Sequence, residues 1–452
     1  MPQRKRDFAL QVVRQLRDAG FQALWAGGCV RDLLLGIDPE DYDVATNAQP
    51  DEVRALFGHR RTIAVGEAFG VVKVLGGRAS GDVEVATFRD EGPYSDHRRP
   101  DWWKPSTPDA DAARRDFTIN GLFFDPLDER VLDYVAGQAD LKAGLIRAIG
   151  DPHARFAEDK LRLLRAVRFS ARYGFPIEPQ TLVALQAMAD QIKLVSAERI
   201  AQELRRMLVH PSRLQGLHLA DETGLLAAIL PEVTAMKGVP QGKPVQPTGD
   251  LWDHTLLVIE KLENPVSFTL ALGALLHDAG KPATLARTAD KLTFYHHEHV
   301  GRRIAADIGR RLRLSNHERD RIEWLVEFHM YLADAKNMRL AKLKRTLAHE
   351  GRDELLALHQ ADALASTGRT DHVDHCRWLL AEWSQEDLTP APLLTGHDLV
   401  RHFHLEPGPL FGQLLEKLYD AQLDGTIRSK RQALDMAAKL LPGEGPTNPA
   451  GA

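Results

Sequence analysis

The sequence predicts an α+β protein: a small N-terminal α/β head followed by a long helical remainder. Three observations carry that reading. Short β-prone runs fall within the first 150 residues: Ala23-Leu24-Trp25-Ala26, Tyr42-Asp43-Val44-Ala45-Thr46, Val71-Val72-Lys73-Val74-Leu75 and Val83-Glu84-Val85-Ala86-Thr87-Phe88. Beyond about Asp151 these signals fade, and apolar residues recur at helical spacing, as in residues 156–171 and 197–208. The length, 452 residues, exceeds what one hydrophobic core usually serves, so several domains are expected.

Taken in order, residues 8–16 show helical periodicity, and the first strand ends at Gly27-Gly28. A helix restarts over residues 30–35, and the remaining three strands follow. Lys237-Gly238-Val239-Pro240-Gln241-Gly242-Lys243-Pro244 is a linker by composition. A histidine-rich helical region runs from Asp250 to about Thr367, and Thr389-Pro390-Ala391-Pro392 breaks the chain before a last helical segment. The expected domains are the α/β head (1–150), a helical neck (151–236), a histidine-rich helical domain (250–370), a helical tail (390–441) and a disordered Pro/Gly-rich end (442–452).

Hydrophobic content of 44% and charged content of 27% are ordinary for a globular protein. The basic start, Met1-Pro2-Gln3-Arg4-Lys5-Arg6, leads into no apolar signal core, and the apolar run 268–276 is too short to span a bilayer. The expectation is a cytoplasmic protein with no membrane partner. Two cysteines, Cys29 and Cys376, make no disulfide framework, which agrees with a reducing compartment. A net charge of −5 argues against unselective coating of nucleic acid and leaves room for a local basic face.

The chemistry-bearing residues come in clusters. Gly27 and Gly28, between a strand and a helix, let backbone amides approach a polyanion, or form a plain tight turn. Asp41 and Asp43, two apart on an expected strand, share a face and repel unless cations lie between them; magnesium suits such a set. Glu84, in another strand, is a candidate third carboxylate. Arg114 and Arg115 can clamp phosphates, with Asp116 orienting one of them. On an expected continuous helix, Glu158, Arg162 and Arg165 fall near one face with Asp159 beside it. There a fixed carboxylate and guanidinium can read a base edge, or simply form an ion-pair ladder. Ser196 reads as an N-cap, and Arg199, Arg205 and Arg206 lie away from the apolar side of their helix, either on RNA backbone or in solvent. His254, His277, Asp278, His297, His329 and Asp362 lie in the histidine-rich region. An adjacent His and Asp at a helix end can both reach one cation.

In order along the chain, Gly27-Gly28-Cys29-Val30-Arg31-Asp32, Asp41-Tyr42-Asp43, Glu84-Val85-Ala86-Thr87-Phe88-Arg89, the run from Arg114 to Asn120, and Glu158-Asp159-Lys160-Leu161-Arg162 resemble the bacterial class II tRNA nucleotidyltransferase and poly(A) polymerase family. The resemblance covers residues 22–175 and continues more loosely to about 440. It implies a nucleotidyltransferase head in which Asp41 and Asp43 bind catalytic Mg2+, with Glu84 at the third carboxylate position. Gly27, Gly28, Arg31, Asp32, Arg114, Arg115 and Asp116 would serve the nucleotide, while Asp159 and Arg162, supported by Arg165, would recognise its base. The implied activity adds C, C and A to the 3′ end of tRNA from CTP and ATP, with no obligatory protein partner. Poly(A) synthesis, CC-only and A-only addition are the alternatives. The family's poly(A) enzymes tend to carry a basic stretch where this chain has Val65-Gly66-Glu67-Ala68-Phe69-Gly70-Val71-Val72, which favours CCA addition. The family's flexible segment matches residues 90–111, including Tyr94-Ser95-Asp96-His97-Arg98-Arg99-Pro100. It carries Trp102-Trp103 in place of polar residues, to stack on RNA or to pack.

The histidine set resembles the HD phosphohydrolase superfamily at His254, His277, Asp278 and Asp362, with His297 and His329 at the extra positions of binuclear members. It implies a transition metal such as Ni2+, Co2+ or Mn2+ and hydrolysis of phosphomonoesters or 2′,3′-cyclic phosphates, or else a scaffold role.

Overall fold

A computed structural model describes residues 2–66, 70–77, 80–94, 100–240, 249–287, 292–406 and 408–441. Expectations for residues 67–69, 95–99, 241–248 and 442–452 lie outside the described residues. The chain forms two compact units, one of residues 1–234 with 311–314, the other of residues 235–310 with 315–452. The architecture is α+β, as the sequence predicts.

The first unit opens with the helix Pro2–Asp18, whose buried Phe8, Val12, Val13 and Leu16 form one stripe. The strands that follow are β1 (Ala23–Ala26), β2 (Asp43–Thr46), β3 (Thr62–Gly66), β4 (Val71–Leu75), β5 (Asp82–Thr87), β6 (Arg89–Glu91), β7 (Trp103–Pro105), β8 (Leu122–Asp125) and β9 (Arg130–Asp133). Seven make one mixed sheet in the order β3-β4-β5-β2-β1-β8-β9, and β6 pairs with β7. β1 is central and buried along its whole length, so it reads as an unbroken apolar run. Leu24, Ala26, Ala45, Phe88, Ala112 and Phe123 cluster against the sheet. The parallel pair β2–β5 sets Asp43 beside Glu84 in register.

The sequence signals only four of these nine strands. The missed ones have three to five residues, too few for a period of two to show, and are held by their ladders. A second correction concerns the helix expected over 156–171. It is two helices, Pro152–Glu158 and Leu161–Tyr173, separated at Asp159, which is extended (φ −140°, ψ 105°). The Asp159 carboxylate accepts the Leu161 amide at 3.1 Å and the Arg199 guanidinium, and these bonds favour the break over a continued helix. The remaining neck helices include Pro179–Met188, which packs on Pro152–Glu158, and Ala197–Leu208 and Arg213–Glu222, which pack on Leu161–Tyr173 with Leu163, Val167, Leu204, Leu208 and Leu217 buried.

The second unit is mainly helical. Phe268–Leu276 is its most apolar helix and all but Thr269 is buried. Around it lie Leu251–Lys261, Asn316–Phe328 and Arg352–Ser366. A short ribbon, Ala286–Arg287 with Leu292–Thr293, is added to these helices. The tail helices Gly396–Phe403, Pro409–Leu423 and Lys430–Leu440 have their own core of Leu399, Leu414, Leu418, Ala433 and Ala437. Among the described residues no helix is long and apolar enough to cross a membrane.

Candidate active site and metal centre

In the first unit, Gly27 adopts φ 70°, ψ −122° at the start of the helix Gly28–Leu34. The backbone there requires glycine, and a Cβ would lie 2.6 Å from Arg115 Nη1 and displace the end of that side chain. Cys29 follows, buried and free, its thiol pushed up to about 12 by burial and then by Asp43. It is inert at neutral pH.

Asp43 begins β2, whereas Asp41 lies two residues before the strand, so the pair does not share a strand face as expected. Asp41 is 81% exposed and ion-paired to Lys5 at 3.2 Å. Both still line one cavity. Withdrawal from water, then the Glu84 carboxylate, push the Asp43 carboxyl up to about 6, against the pull of Arg115. Glu84 stands beside Asp43, paired to Lys73 at 3.4 Å, and is not among the cavity residues. The raised pKa of Asp43, the carboxylates crowded beside it and an all-oxygen donor set fit a hard divalent cation such as magnesium.

Arg31, Arg114 and Arg115 are each held by a carboxylate. Arg31 donates to Asp32 at 2.8 Å and to Asn120, and stacks over Tyr173, 4.7 Å from the ring centre. Tyr173 in turn donates to Asp32 at 2.9 Å. Arg114 and Arg115 both donate to Asp111, at 2.9 Å through each Nε and Nη2 respectively, and Arg114 also reaches Glu91. Asp116 does not orient that pair, contrary to expectation. It accepts from Arg165 at 2.6 Å and from Asn120 at 3.0 Å, and these bonds hold its carboxyl well below the usual range despite burial. Asp111 takes the orienting role because it precedes the arginines by three and four residues on a short helix and its own extension.

In the neck, Arg162 donates to Glu158 and to the Arg155 and Arg114 carbonyls. Asp159 is gripped by both Arg199 nitrogens, at 3.0 and 2.7 Å. Of Arg199, Arg205 and Arg206, the expected basic face, Arg199 and Arg206, two turns apart, line the cavity and Arg205 does not. Glu203, 2% exposed, receives Arg168, Arg206 at 2.9 Å and Arg165 at 3.9 Å. Asp111 and Glu203 were both missed in the sequence, although each sits three residues before an arginine that it pairs.

These side chains meet around one cavity of about 920 Å³. Its lining includes Gly27, Gly28, Arg31, Asp32, Asp41, Asp43, Arg114, Arg115, Asp116, Asp159, Arg162, Arg165, Arg199 and Arg206. Nine arginines face six carboxylates there, so the cavity is cationic overall, with the Asp41/Asp43 carboxylates as a local exception. Trp102 is half-exposed on the hairpin side, near Lys104, and Trp103 lies in β7; neither lines the cavity.

In the second unit, the six residues singled out in the sequence come together. His254 Nε2 lies 3.2 Å from Asp362 and 3.8 Å from Asp278. His277 Nε2 lies 3.2 Å from Asp278 Oδ2, while His297 and His329 lie 3.4 and 3.5 Å from its Oδ1. Ligand atoms of His254, His277 and Asp362 group closely, as do those of Asp278, His297 and His329. Asp278 thus stands between two sets. Three Nδ1 atoms face carbonyls: His277 to Ala274, His297 to Phe294 and His329 to Val326, at 2.7, 2.8 and 2.7 Å. With Nδ1–H donating there, each Nε2 offers a lone pair inward. His277 Nε2 and Asp278 Oδ1 are buried without a hydrogen-bond partner, and the His297 and His329 Nε2 atoms face each other at 3.2 Å. That donor set, rich in imidazole, fits one or two transition-metal ions.

Fold and site together define a nucleotidyltransferase-type head with a helical neck, followed by an HD-type helical domain. Three family descriptions match: "Poly A polymerase head domain" over residues 23–147, "Probable RNA and SrmB- binding site of polymerase A" over 174–237, and "HD domain" over 252–367. The chain is 38% identical over 265 residues to the CCA-adding enzyme of Lactobacillus helveticus and 38% over 245 residues to poly(A) polymerase I of Haemophilus influenzae. These alignments take in 57% and 51% of this chain, and 65% and 53% of those proteins. It is 31% identical over 436 residues to the CCA-adding enzyme of Levilactobacillus brevis, covering 95% of this chain and 96% of that one. The fold is like that of the Bacillus stearothermophilus CCA-adding enzyme solved in complex with CTP, with TM-score 0.70, 24% identity, and 95% and 97% of the two chains covered. The chain belongs to the tRNA nucleotidyltransferase and poly(A) polymerase family.

Proposed function

We propose that this protein adds C, C and A to the 3′ end of tRNA from CTP and ATP without a template. The observation that carries the reading is the arginine-rich cavity whose lining includes both Asp41 and Asp43 and Asp159 and Arg162. Arg115, held by Asp111, and the glycine-opened helix start meet the triphosphate. Asp159, fixed by Arg199, accepts from an exocyclic amine, and Arg162, fixed by Glu158, donates to the neighbouring ring nitrogen. Cytosine and adenine both present that amine-and-acceptor pattern; uracil and guanine reverse it. Asp41 and Asp43 would hold magnesium, which when bound neutralises charge on the attacking and leaving oxygens. The full-length relative of Levilactobacillus brevis supports CCA addition, and the Haemophilus influenzae relative keeps poly(A) synthesis as an outcome of the test. The test supplies tRNA lacking its 3′ end with CTP, ATP or both. Two C residues from CTP alone and a terminal A only with both are expected. Long A tails from ATP alone would replace the reading with poly(A) synthesis, and arrest after CC, or A addition only to CC-ended tRNA, would narrow it.

A second reading, hydrolysis of 2′,3′-cyclic phosphates at the histidine cluster, is favoured by the inward Nε2 atoms and by Asp278 Oδ1, which faces His297 and His329. Turnover of a 2′,3′-cyclic nucleotide with Ni2+, Co2+ or Mn2+ tests it; no turnover with any of them makes the domain a scaffold.

A further inference from the structure

His296, Glu298 and His299 lie on the surface where the helix His297–Arg311 begins. His296 and His299 are 79% and 57% exposed. His296 takes a left-handed conformation, φ 61°, uncommon for a side-chain-bearing residue. That turn brings its ring over His299, with centroids 5.8 Å apart and planes 12° from parallel. Glu298 Oε1 lies 3.9 Å from His296 Nδ1 and 3.8 Å from His299 Nε2, and the three ligand atoms all fall within 4.8 Å of one another. Ligands on a tetrahedral ion at bonds of ~2.1 Å stand ~3.4 Å apart, so the two Glu298 pairs need to close by about half an ångström and the two imidazoles by no more than ~1.4 Å, within reach of exposed side chains. A second observation bears on the ligand. His299 Nδ1 faces Glu327 Oε1 at 3.5 Å, and Glu327 is itself fixed by Arg302 at 2.9 Å. A carboxylate behind one imidazole nitrogen, with the other nitrogen turned to the shared centre, is the arrangement that orients a metal-bound histidine. A cation at a helix start is disfavoured by the helix dipole, and Glu298 in the first turn supplies the opposing charge.

We propose that His296, Glu298 and His299 form a surface site for a divalent transition-metal ion, separate from the buried histidine cluster. Two imidazoles and one carboxylate select zinc, nickel or copper(II) over magnesium. Glu298 Oε2 lies 3.6 Å from His297 Nδ1, so the outer set adjoins the inner one through a single side chain.

The test is equilibrium dialysis of the full, chelator-stripped chain against Ni2+, with excess Mg2+ present throughout. Wild type should bind one more ion than the double variant His296→Ala/His299→Ala, while His277→Ala should keep that outer ion. Glu298→Gln should weaken it at least tenfold, and Glu327→Gln, as a positioning change, less but measurably. With Cu2+, nitrogen hyperfine splitting from the outer ion should disappear in the double variant. Exposure of both rings predicts an unchanged circular dichroism spectrum, and His299→Gln, which keeps a polar side chain, provides an independent loss of affinity. An unchanged isotherm in the double variant, or loss of the outer ion in His277→Ala, overturns the proposal. The readout is metal content, so it stands or falls apart from CCA addition and from hydrolysis at the buried cluster.

Discussion

The two candidate sites position their polar groups by opposite means. In the first unit side chains hold side chains: Arg31 on Asp32, Arg115 on Asp111, Arg165 on Asp116 and Arg199 on Asp159. In the second, backbone carbonyls hold imidazoles, and the imidazoles surround one buried carboxylate, Asp278. An arginine that leans on a carboxylate in an open cavity can share itself with a polyanion and return, and this suits the proposed addition of successive nucleotides. An imidazole fixed by its own backbone keeps one orientation, which suits a permanent ion. The difference predicts that the first site fails by loss of chemistry with the fold retained, and the second by loss of stability as well.

The largest effect tests the first half. Asp43→Ala should lower nucleotide addition at least ~100-fold, because several kcal/mol of charge stabilisation go with the cation proposed there. Circular dichroism should stay that of wild type. Asp41→Ala should do the same; a folded protein with near-normal incorporation would remove the carboxylate pair from the mechanism.

Asp278→Asn tests the second half. Burial alone would raise this carboxyl, yet His277 and Lys281 hold it well below the usual range. Its loss leaves the Lys281 ammonium without its buried counter-charge, a cost of about 3–5 kcal/mol. Calorimetry should show the melting transition lowered by on the order of 10 °C, with CCA addition largely kept below that temperature. His277→Ala should abolish any cyclic-phosphate hydrolysis and spare nucleotide addition. If either variant stops nucleotide addition while folded, the two chemistries are not independent.

Asp159→Ala should cost ~1–3 kcal/mol in the preference for CTP and ATP over UTP and GTP, about tenfold to a hundredfold. Because Arg199 grips Asp159 with both nitrogens, Arg199→Ala should give a similar, smaller loss, and the double variant should be less than additive. Unchanged nucleotide preference in Asp159→Ala would place selection elsewhere.

Most of what the sequence made legible was local. Gly27, Asp43, Arg115 and the His277-Asp278 step stand out because the chemical types fall within a few residues. The six ligand candidates of the second unit were recognisable too, since resemblance to a known set supplies what spacing cannot. Partners across long separations were not legible: Arg199 lies 40 residues from Asp159, and Arg165 lies 49 from Asp116. Nor was the break at Asp159, where a helical pattern runs unbroken through a residue whose tertiary bonds pull it out of the helix. β8 and β9 were hidden because four-residue strands take their conformation from the neighbour they pair with.

The smallest expected effect is the sharpest discriminator between the two sites, because it has opposite signs in them. The Asp43 carboxyl titrates at about 6 in the folded protein, against an unfolded value near 4. Between those values the folded state binds more protons than the unfolded state, so this group makes folding less favourable as pH rises through the window from about 4 to 6. At pH 7.5, in chelator and without nucleotide, Asp43→Asn should therefore raise the melting temperature of the first unit slightly, and that gain should vanish near pH 4. Magnesium should stabilise wild type and not the variant, with affinity falling about tenfold for each pH unit below 6. Asp278→Asn should lower the melting temperature under the same conditions, since its carboxylate is held in the charged form by its neighbours. Matching signs in the two variants would mean that Asp43, like Asp278, is an internal counter-ion, and that the cavity's affinity for a cation comes from somewhere other than carboxylate crowding.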